Sequence, residues 1–415
     1  MAKTGGQLGR AVKRCRVEWD SEVADPRDRR GRRHKHHGLL NLLVLGFASG
    51  LSTLRRVEEL SADLRKAARS ALGLRRAVSD TTLFMLLSSH TVAGLRNTLM
   101  TQVKTLWRGK RVTNDLFPFG VLSFDGKSVW SSAWKSIEGA KEMHTENGLV
   151  FSSLAMLNAV LVSSSVRPCV DLQLIREKSG ESPALREMVR RVAVAFHSMF
   201  DIVTGDAGLM CRENAALIRG LGKHFVFTVK GNQQRLFGLA EHVFRSLSAS
   251  ARVATTERRN GATVTRTLGT QVVSDVVGGI GIYGAQELWR IEQETVSDAG
   301  ERTTEVRYFI SSLPPRKLSP TQKLQLVRLH WGIENNRHWT MDVMFEEDDR
   351  QPCQLSRRSI EVVCWLRALA YNLVATLRAA AKQKDRRPQP WRRTMQRIRD
   401  LLVTLQDEEL PAFLA

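Results

Sequence analysis

The sequence predicts an α/β protein, and three observations carry that expectation. A strongly basic, helical stretch fills roughly the first hundred residues. From Phe117 the texture turns to short apolar strands that give way to alternating helix and strand patterns, with single carboxylates at two strand ends. A long helical pattern then begins at Ser319-Pro320, a serine cap with proline in the first turn.

Taken in order, the N-terminal region is dense in cations, with Arg10, Lys13, Arg14, Arg16, Arg27, Arg29, Arg30, Arg32, Arg33 and Lys35. An apolar helix follows from Leu39 to Phe47, then Gly50, then a helical pattern through Val57, Leu60 and Leu64. Ser79-Asp80 caps a third helix through Leu83, Leu86 and Leu87. Small helices decorated with arginine suit the DNA backbone, which makes Arg29, Arg30, Arg32 and Arg33 candidate phosphate contacts. The alternative is a helical appendage that only packs on the core. His34, Lys35, His36 and His37 read as a solvated basic turn, because neighbouring cations repel a metal ion.

The first strand, Phe119 to Phe124, ends at Asp125-Gly126. Leu149 to Leu161 and Val166 to Ile175 read as two more strands, and a helix follows from Ser182. Asp201 to Thr204 is a short strand running into Gly205-Asp206. A helix from Arg212 to Leu221 and a buried-type strand from His224 to Val229 complete the run, which ends at Lys230-Gly231-Asn232. Three meandering strands followed by alternating helices and parallel strands is the layout of a ribonuclease H-like mixed sheet with flanking helices. Residues 233–313 read as a β-rich insertion with a hairpin at Asn260-Gly261 and strands at Leu288 to Val296 and Val306 to Ser312. The helix from Ser319 is expected to run to about Val343. Beyond it lie an apolar helix from Ser359, an Arg-Pro-rich linker from Asp385 to Pro390 and an amphipathic helix from Arg392 to Leu405. The expected blocks are a helical basic domain (1–115), the catalytic core (116–350) and a helical C-terminal region (351–415).

Lysine and arginine number 63 against 42 acidic residues, a net charge of +21, and a chain this basic usually faces a polyanion. The five scattered cysteines have no metal or redox spacing, so they read as reduced packing residues. The apolar run at Leu39 to Ala48 is too short to span a bilayer, and the cytoplasm is the expected compartment.

Asp125 and Asp206 stand at the ends of the first and fourth strands, which are neighbours in a sheet of this order. Glu334 lies on the closing helix, which can deliver a third carboxylate to the same point. Such a set suits hard, oxygen-preferring Mg²⁺, with Mn²⁺ as a substitute. Two ions about 4 Å apart support in-line phosphoryl transfer. His330, Glu334, His338 and Asp342 recur every four residues, beside Trp331, Arg337 and Trp339. Tryptophan next to cations suits stacking on an unpaired base. His330 and His338 also raise a rival reading, a zinc hydrolase, although their spacing differs from the one-turn spacing of zinc helices.

Phe124-Asp125-Gly126-Lys127, Thr204-Gly205-Asp206-Ala207, Val229-Lys230-Gly231-Asn232-Gln233 and His330-Trp331-Gly332-Ile333-Glu334-Asn335, with His338-Trp339 and Asp342, resemble one family. It is the bacterial insertion-sequence DDE transposases, in the H-repeat-associated subgroup. Asp25-Pro26-Arg27 followed by His37 to Gly50 resembles that subgroup's associated helical domain. The resemblance implies metal-dependent cleavage and strand transfer at transposon ends by Asp125, Asp206 and Glu334. It implies DNA partners, namely terminal inverted repeats and target DNA, and a homodimer at synapsis in a nucleoid-associated protein. Lys230, His330, Trp331, Arg337 and His338 become candidate DNA contacts. The wider class carries Y-x2-R-x3-E-x6-K around its glutamate, whereas Val327, His330 and Met341 stand at the other three positions here. A catalytically inactive, transposase-derived DNA-binding protein is the alternative that keeps the same fold.

Overall fold

The computed structural model describes residues 17–133, 135–144, 148, 150–175, 180–246, 251–272, 282–348, 351, 356–381 and 388–404. Arg10, Lys13, Arg14 and Arg16, and the linker's first residues from Asp385, lie outside the described residues. Along the chain the helices and strands are α1 (His36–Ala48), α2 (Leu54–Asp63), α3 (Lys66–Ala71), α4 (Asp80–Ser89), α5 (Leu95–Arg108), β1 (Val121–Ser132), β2 (Lys141–His144), β3 (Val150–Leu161), β4 (Cys169–Leu174), α6 (Glu181–Ala195), β5 (Ile202–Gly205), α7 (Arg212–Gly220), β6 (His224–Val229) and α8 (Gln234–Ser246). Then come β7 (Ala251–Arg259), β8 (Ala262–Val272), β9 (Glu287–Ser297), β10 (Arg302–Ser311), α9 (Pro320–His330), a π-helical turn (Ile333–His338), α10 (Trp339–Phe345), α11 (Arg357–Ala380) and α12 (Trp391–Thr404).

These elements form a mixed α/β, ribonuclease H-like fold divided into two compact units. One unit holds Met1–Leu116, Gly126–Lys178 and Glu334–Ala415, and the other holds Phe117–Asp125 and Ser179–Ile333. The division therefore passes just after Asp125 and just before Glu334.

In the second unit the strand order is β1-β5-β6-β10-β9-β8-β7. β1, β5 and β6 are parallel, and β5 is buried along its whole length, as strands covered on both faces must be. β10 pairs antiparallel with β6, so the expected insertion continues the core sheet instead of forming a separate body. Its β7–β8 hairpin turns at Asn260 and Gly261, both at positive φ (50° and 74°), the conformation an Asn-Gly turn supplies. Along β8 buried and partly exposed residues alternate, the mark of a sheet with one covered face. Helix α9 starts with a capping box between Ser319 and Gln322, with Pro320 in its first turn. Two ion pairs moor it to the strands: buried Lys323 to Glu287 at 2.7 Å, and Arg328 to Glu257 at 2.7 Å.

The other unit is built around α11, which packs against α1, α4, α5, α12 and β4. This helix has the length and apolarity to cross a membrane, yet 94% of its apolar window is buried within the structure. Asn372 ties it to β4, accepting from Cys169 N at 2.8 Å and donating to Cys169 O at 2.9 Å. β3 lies between β2 and the second half of β1 and also pairs with β4. Cys169 and Cys364 are both buried, as packing residues should be.

Candidate active site

The site begins with strand register. Val121 to Phe124 of β1 pair with Ile202 to Gly205 of β5, so Asp125 and Asp206 are the next residue along on two adjacent parallel strands. The residue before Asp206, Gly205, lets the chain pack against its neighbours, since a Cβ there would lie 2.8 Å from the Phe227 ring and 2.9 Å from Leu209. Asp206 precedes a short 3-10 turn, Ala207–Leu209, but its side chain makes no capping hydrogen bond there. The carboxylate is not spent on holding its own turn. That task falls to Asn232 and Gln233, which donate to Ala207 O at 3.3 Å and to Met210 O at 3.0 Å respectively.

His330, at the end of α9, organises this corner. Its Nδ1 lies 2.8 Å from Ser123 Oγ and 3.2 Å from Thr204 Oγ1, so it rests on both strands that carry the aspartates. Its Nε2 faces Asp206 Oδ1 at 3.6 Å, while Lys230 Nζ lies 3.7 Å from Asp206 Oδ2. The imidazole, opposed by burial and aided by Lys230, holds the Asp206 carboxyl below its ordinary range. Asp206 is therefore ionised at neutral pH. Both ring nitrogens of His330 are engaged in this corner, which differs from the expected contact with DNA and from a zinc ligand.

Glu334 is exposed and lies in the π-helical turn. The expected unbroken helix to Val343 is thus interrupted at the segment that carries Glu334. The interruption also splits the four-residue stripe, because Glu334 is exposed whereas His330 and His338 are buried. Arg337 is 1% exposed, with its guanidinium 4.1 Å above the Tyr371 ring. His338 is buried too, and burial, reinforced by Arg337 and Lys127, pushes it down to about 3. Both side chains are buried, which differs from the expected exposed DNA contacts, and Tyr371 of α11 lies under the Arg337 guanidinium. Trp331 is half-buried beneath the Arg307 guanidinium at 4.5 Å, whereas Trp339 is 49% exposed.

Lys127 is buried, within ion-pairing reach of Asp342 and 3.3 Å from Glu347. Burial opposes its charge, but Glu347 and Asp342 together raise its pKa. The sequence motif contains Lys127 without revealing this role. At the N-terminus Arg29, Arg30, Arg32 and Arg33 are exposed. The adjacent turn differs from the solvated reading, since His34 is 6% exposed.

Among the described residues, no group of three or more His, Cys, Asp or Glu is assembled as a metal centre. The donor chemistry nevertheless fits a hard cation. Asp206 is an ionised carboxylate without a capping bond, and Asp125 stands beside it in register.

Aspartates side by side on adjacent parallel strands, Asp125 within β1 and Asp206 just past the end of β5, mark a carboxylate-bearing, ribonuclease H-like sheet. Residues 140–373 match the Transposase DDE domain family, and the chain belongs to that family. The match includes Asp206 and Glu334 and begins beyond Asp125. Among curated relatives, "H repeat-associated putative transposase YhhI" and "Putative protein YbfL" of Escherichia coli K12 are each 27% identical over 227 residues, 51% of this chain. The chain matches only 57% of the length of each. "Putative transposase YncI" of E. coli O157:H7 is 21% identical over 383 residues, 86% of each chain.

Proposed function

We propose that this chain is an active transposase that cleaves DNA at the ends of an insertion sequence and joins those ends to target DNA. The observation that carries the reading is the register of β1 on β5, which sets Asp125 beside Asp206 while His330 steadies the second carboxylate. In this reading Asp125, Asp206 and Glu334 hold two Mg²⁺ ions, or Mn²⁺ in their place. When bound, such ions lower the pKa of a nucleophilic water or 3′-hydroxyl and neutralise charge on the leaving oxygen. The chain's own residues then orient the reactants. Lys230, 61% exposed, is placed to meet a phosphate next to Asp206. His330 fixes the carboxylate's direction, and exposed Trp339 offers a face for an unpaired base. The basic N-terminal block (1–115) and the C-terminal helices (351–415) flank the core (116–350). Two copies meeting on inverted repeats, in the cytoplasm at the nucleoid, complete the proposal.

The test uses duplexes bearing the short inverted repeats that flank the gene. Wild-type protein should nick them with Mg²⁺ or Mn²⁺. Asp125→Asn, Asp206→Asn and Glu334→Gln should each lower cleavage by at least ~100-fold, in line with loss of electrostatic stabilisation at a reacting centre, while binding persists. Full activity in any one variant removes that residue from the site. Salt-sensitive binding by wild type with no cleavage under either ion would favour the inactive DNA-binding alternative.

A further inference from the structure

The helical unit contains a cationic cavity that the carboxylate chemistry leaves unused. Its volume is about 590 Å³, and Arg32, Arg33, Lys35, Lys66, Arg69 and Arg75 line it. The one carboxylate in the lining, Asp25, is already engaged by Arg27 at 2.8 Å and Arg32 at 3.3 Å. Lining cations from two stretches of chain, 32–35 and 66–75, thus converge with little internal compensation, an arrangement whose self-repulsion an anionic ligand would relieve.

The cavity wall is a built structure. Arg27 donates to Asp25 Oδ2 and to His34 O, both at 2.9 Å, and Arg32 donates to Arg27 O at 3.0 Å. Lys35 N donates to Gly73 O at 3.1 Å, which closes the arginine-rich loop against the chain that follows α3. His34 is part of the same wall. It lines the cavity at 6% exposure, yet its Nδ1 has no hydrogen-bond partner among the described residues. Burial and the nearby Arg76, Arg27, Arg75 and Arg33 lower its pKa, so the neutral ring adds no charge of its own to the lining. A second cavity of about 340 Å³ shares Arg33 and His34 and adds Arg76; its one carboxylate, Glu58, accepts a hydrogen bond from Asp80 N at 3.1 Å. The positive lining is therefore a strip and not a single point, which matches the repeating charge of a nucleic-acid strand better than one free anion.

We propose that this strip, from Lys66 to Arg76 across His34, seats successive backbone phosphates of duplex DNA. The inference rests on DNA as the substrate and adds a sequence-independent grip separate from the carboxylates. The test is fluorescence anisotropy of the full chain on a labelled duplex of arbitrary sequence, without divalent ions, across a series of salt concentrations. Lys66→Ser/Arg69→Ser/Arg75→Ser should weaken binding at least ~10-fold and reduce the slope of log K against log salt by up to about 3, close to 0.9 per lost phosphate contact. The exposed single change Lys66→Ala should reduce that slope by about 1 and serves if the triple variant does not fold. Arg69→Lys/Arg75→Lys should retain the wild-type slope. Wild-type affinity and slope in the folded charge-removal variants would overturn the proposal. So would a small-anion pocket, seen as stabilisation of wild type by inorganic phosphate at matched ionic strength that the triple variant loses without change in duplex binding. If wild type binds no duplex at all, the transposase reading fails first, a result distinct from failure of this strip alone.

Discussion

Asp206 shows how the surrounding side chains hold a single carboxylate in place. Gly205 lets the strand end close against Phe227 and Leu209, Asn232 and Gln233 hold the turn beyond it, and His330 bears on the carboxylate itself. Gly205→Ala adds a methyl where the ring of Phe227 already lies, and should cost about 1–3 kcal/mol as overpacking. Equilibrium denaturation measures this, and an unchanged midpoint would show that the ring gives way freely. His330→Ala removes a positioning contact, so activity should fall about 10–100-fold, the usual effect of losing a group that orients a metal ligand. DNA affinity without divalent ions should stay within twofold, and equal losses of binding and turnover would instead mark a DNA contact. Asp206 was legible in the sequence because it follows a short apolar strand, whereas β1 runs on through Asp125 to Ser132, so the strand end expected there is not found. The role of His330 was not legible, since its Ser123 partner is 207 residues away and no local pattern encodes that distance.

At the scale of elements, Lys127 is the clearest case of charge used for cohesion. It satisfies Asp342 and Glu347 at a buried position, linking β1 to the end of α10 and the residues just beyond it. Lys127→Met should destabilise by about 3–5 kcal/mol, because two carboxylates lose their cation, with the lower figure favoured by partial exposure of Asp342. A smaller loss of denaturant stability would show that the carboxylates hydrate or protonate cheaply. Histidines set a pH dependence of definite sign. His338 is pushed down to about 3 and His36 to about 4, each mainly by burial, from an ordinary value of 6.5. As pH falls below about 6.5 the unfolded chain takes up protons that the folded chain refuses, so stability drops progressively towards those lower values. The His36→Gln/His338→Gln variant should show a shallower loss of unfolding free energy between neutral and acid pH, and an unaltered profile would assign the acid sensitivity elsewhere. Helix α9 was readable from its cap and the β7–β8 hairpin from Asn260-Gly261, both local signals. The π-turn was not, because a change from i→i+4 to i→i+5 bonding leaves no mark in residue type. Burial of Arg337 depends on Tyr371, 34 residues downstream, and was equally hidden.

For the whole molecule, the net charge of +21 was the plainest clue to a polyanionic partner, and the structure gives part of that charge an address in the strip around His34. Each compact unit gathers separate stretches of chain, and β1 contributes residues to both. For the added strands, existence was legible, but the pairing of β10 with β6 depends on long-range registry. That pairing has a consequence for how the protein behaves in concentrated solution. Among the described residues β7 ends the sheet, which leaves one side of its ladder without a neighbouring strand. Its sequence carries Arg252, Glu257, Arg258 and Arg259, charges of the kind that discourage a second chain from adding there. In dilute salt the overall charge keeps copies apart, but screening removes that protection, and the charged rim of β7 then becomes the barrier to clumping. Replacing Arg252, Arg258 and Arg259 with threonine should produce a chain that scatters light at high salt while remaining clear at low salt. Equal clarity in both conditions would show that the rim is not what preserves solubility.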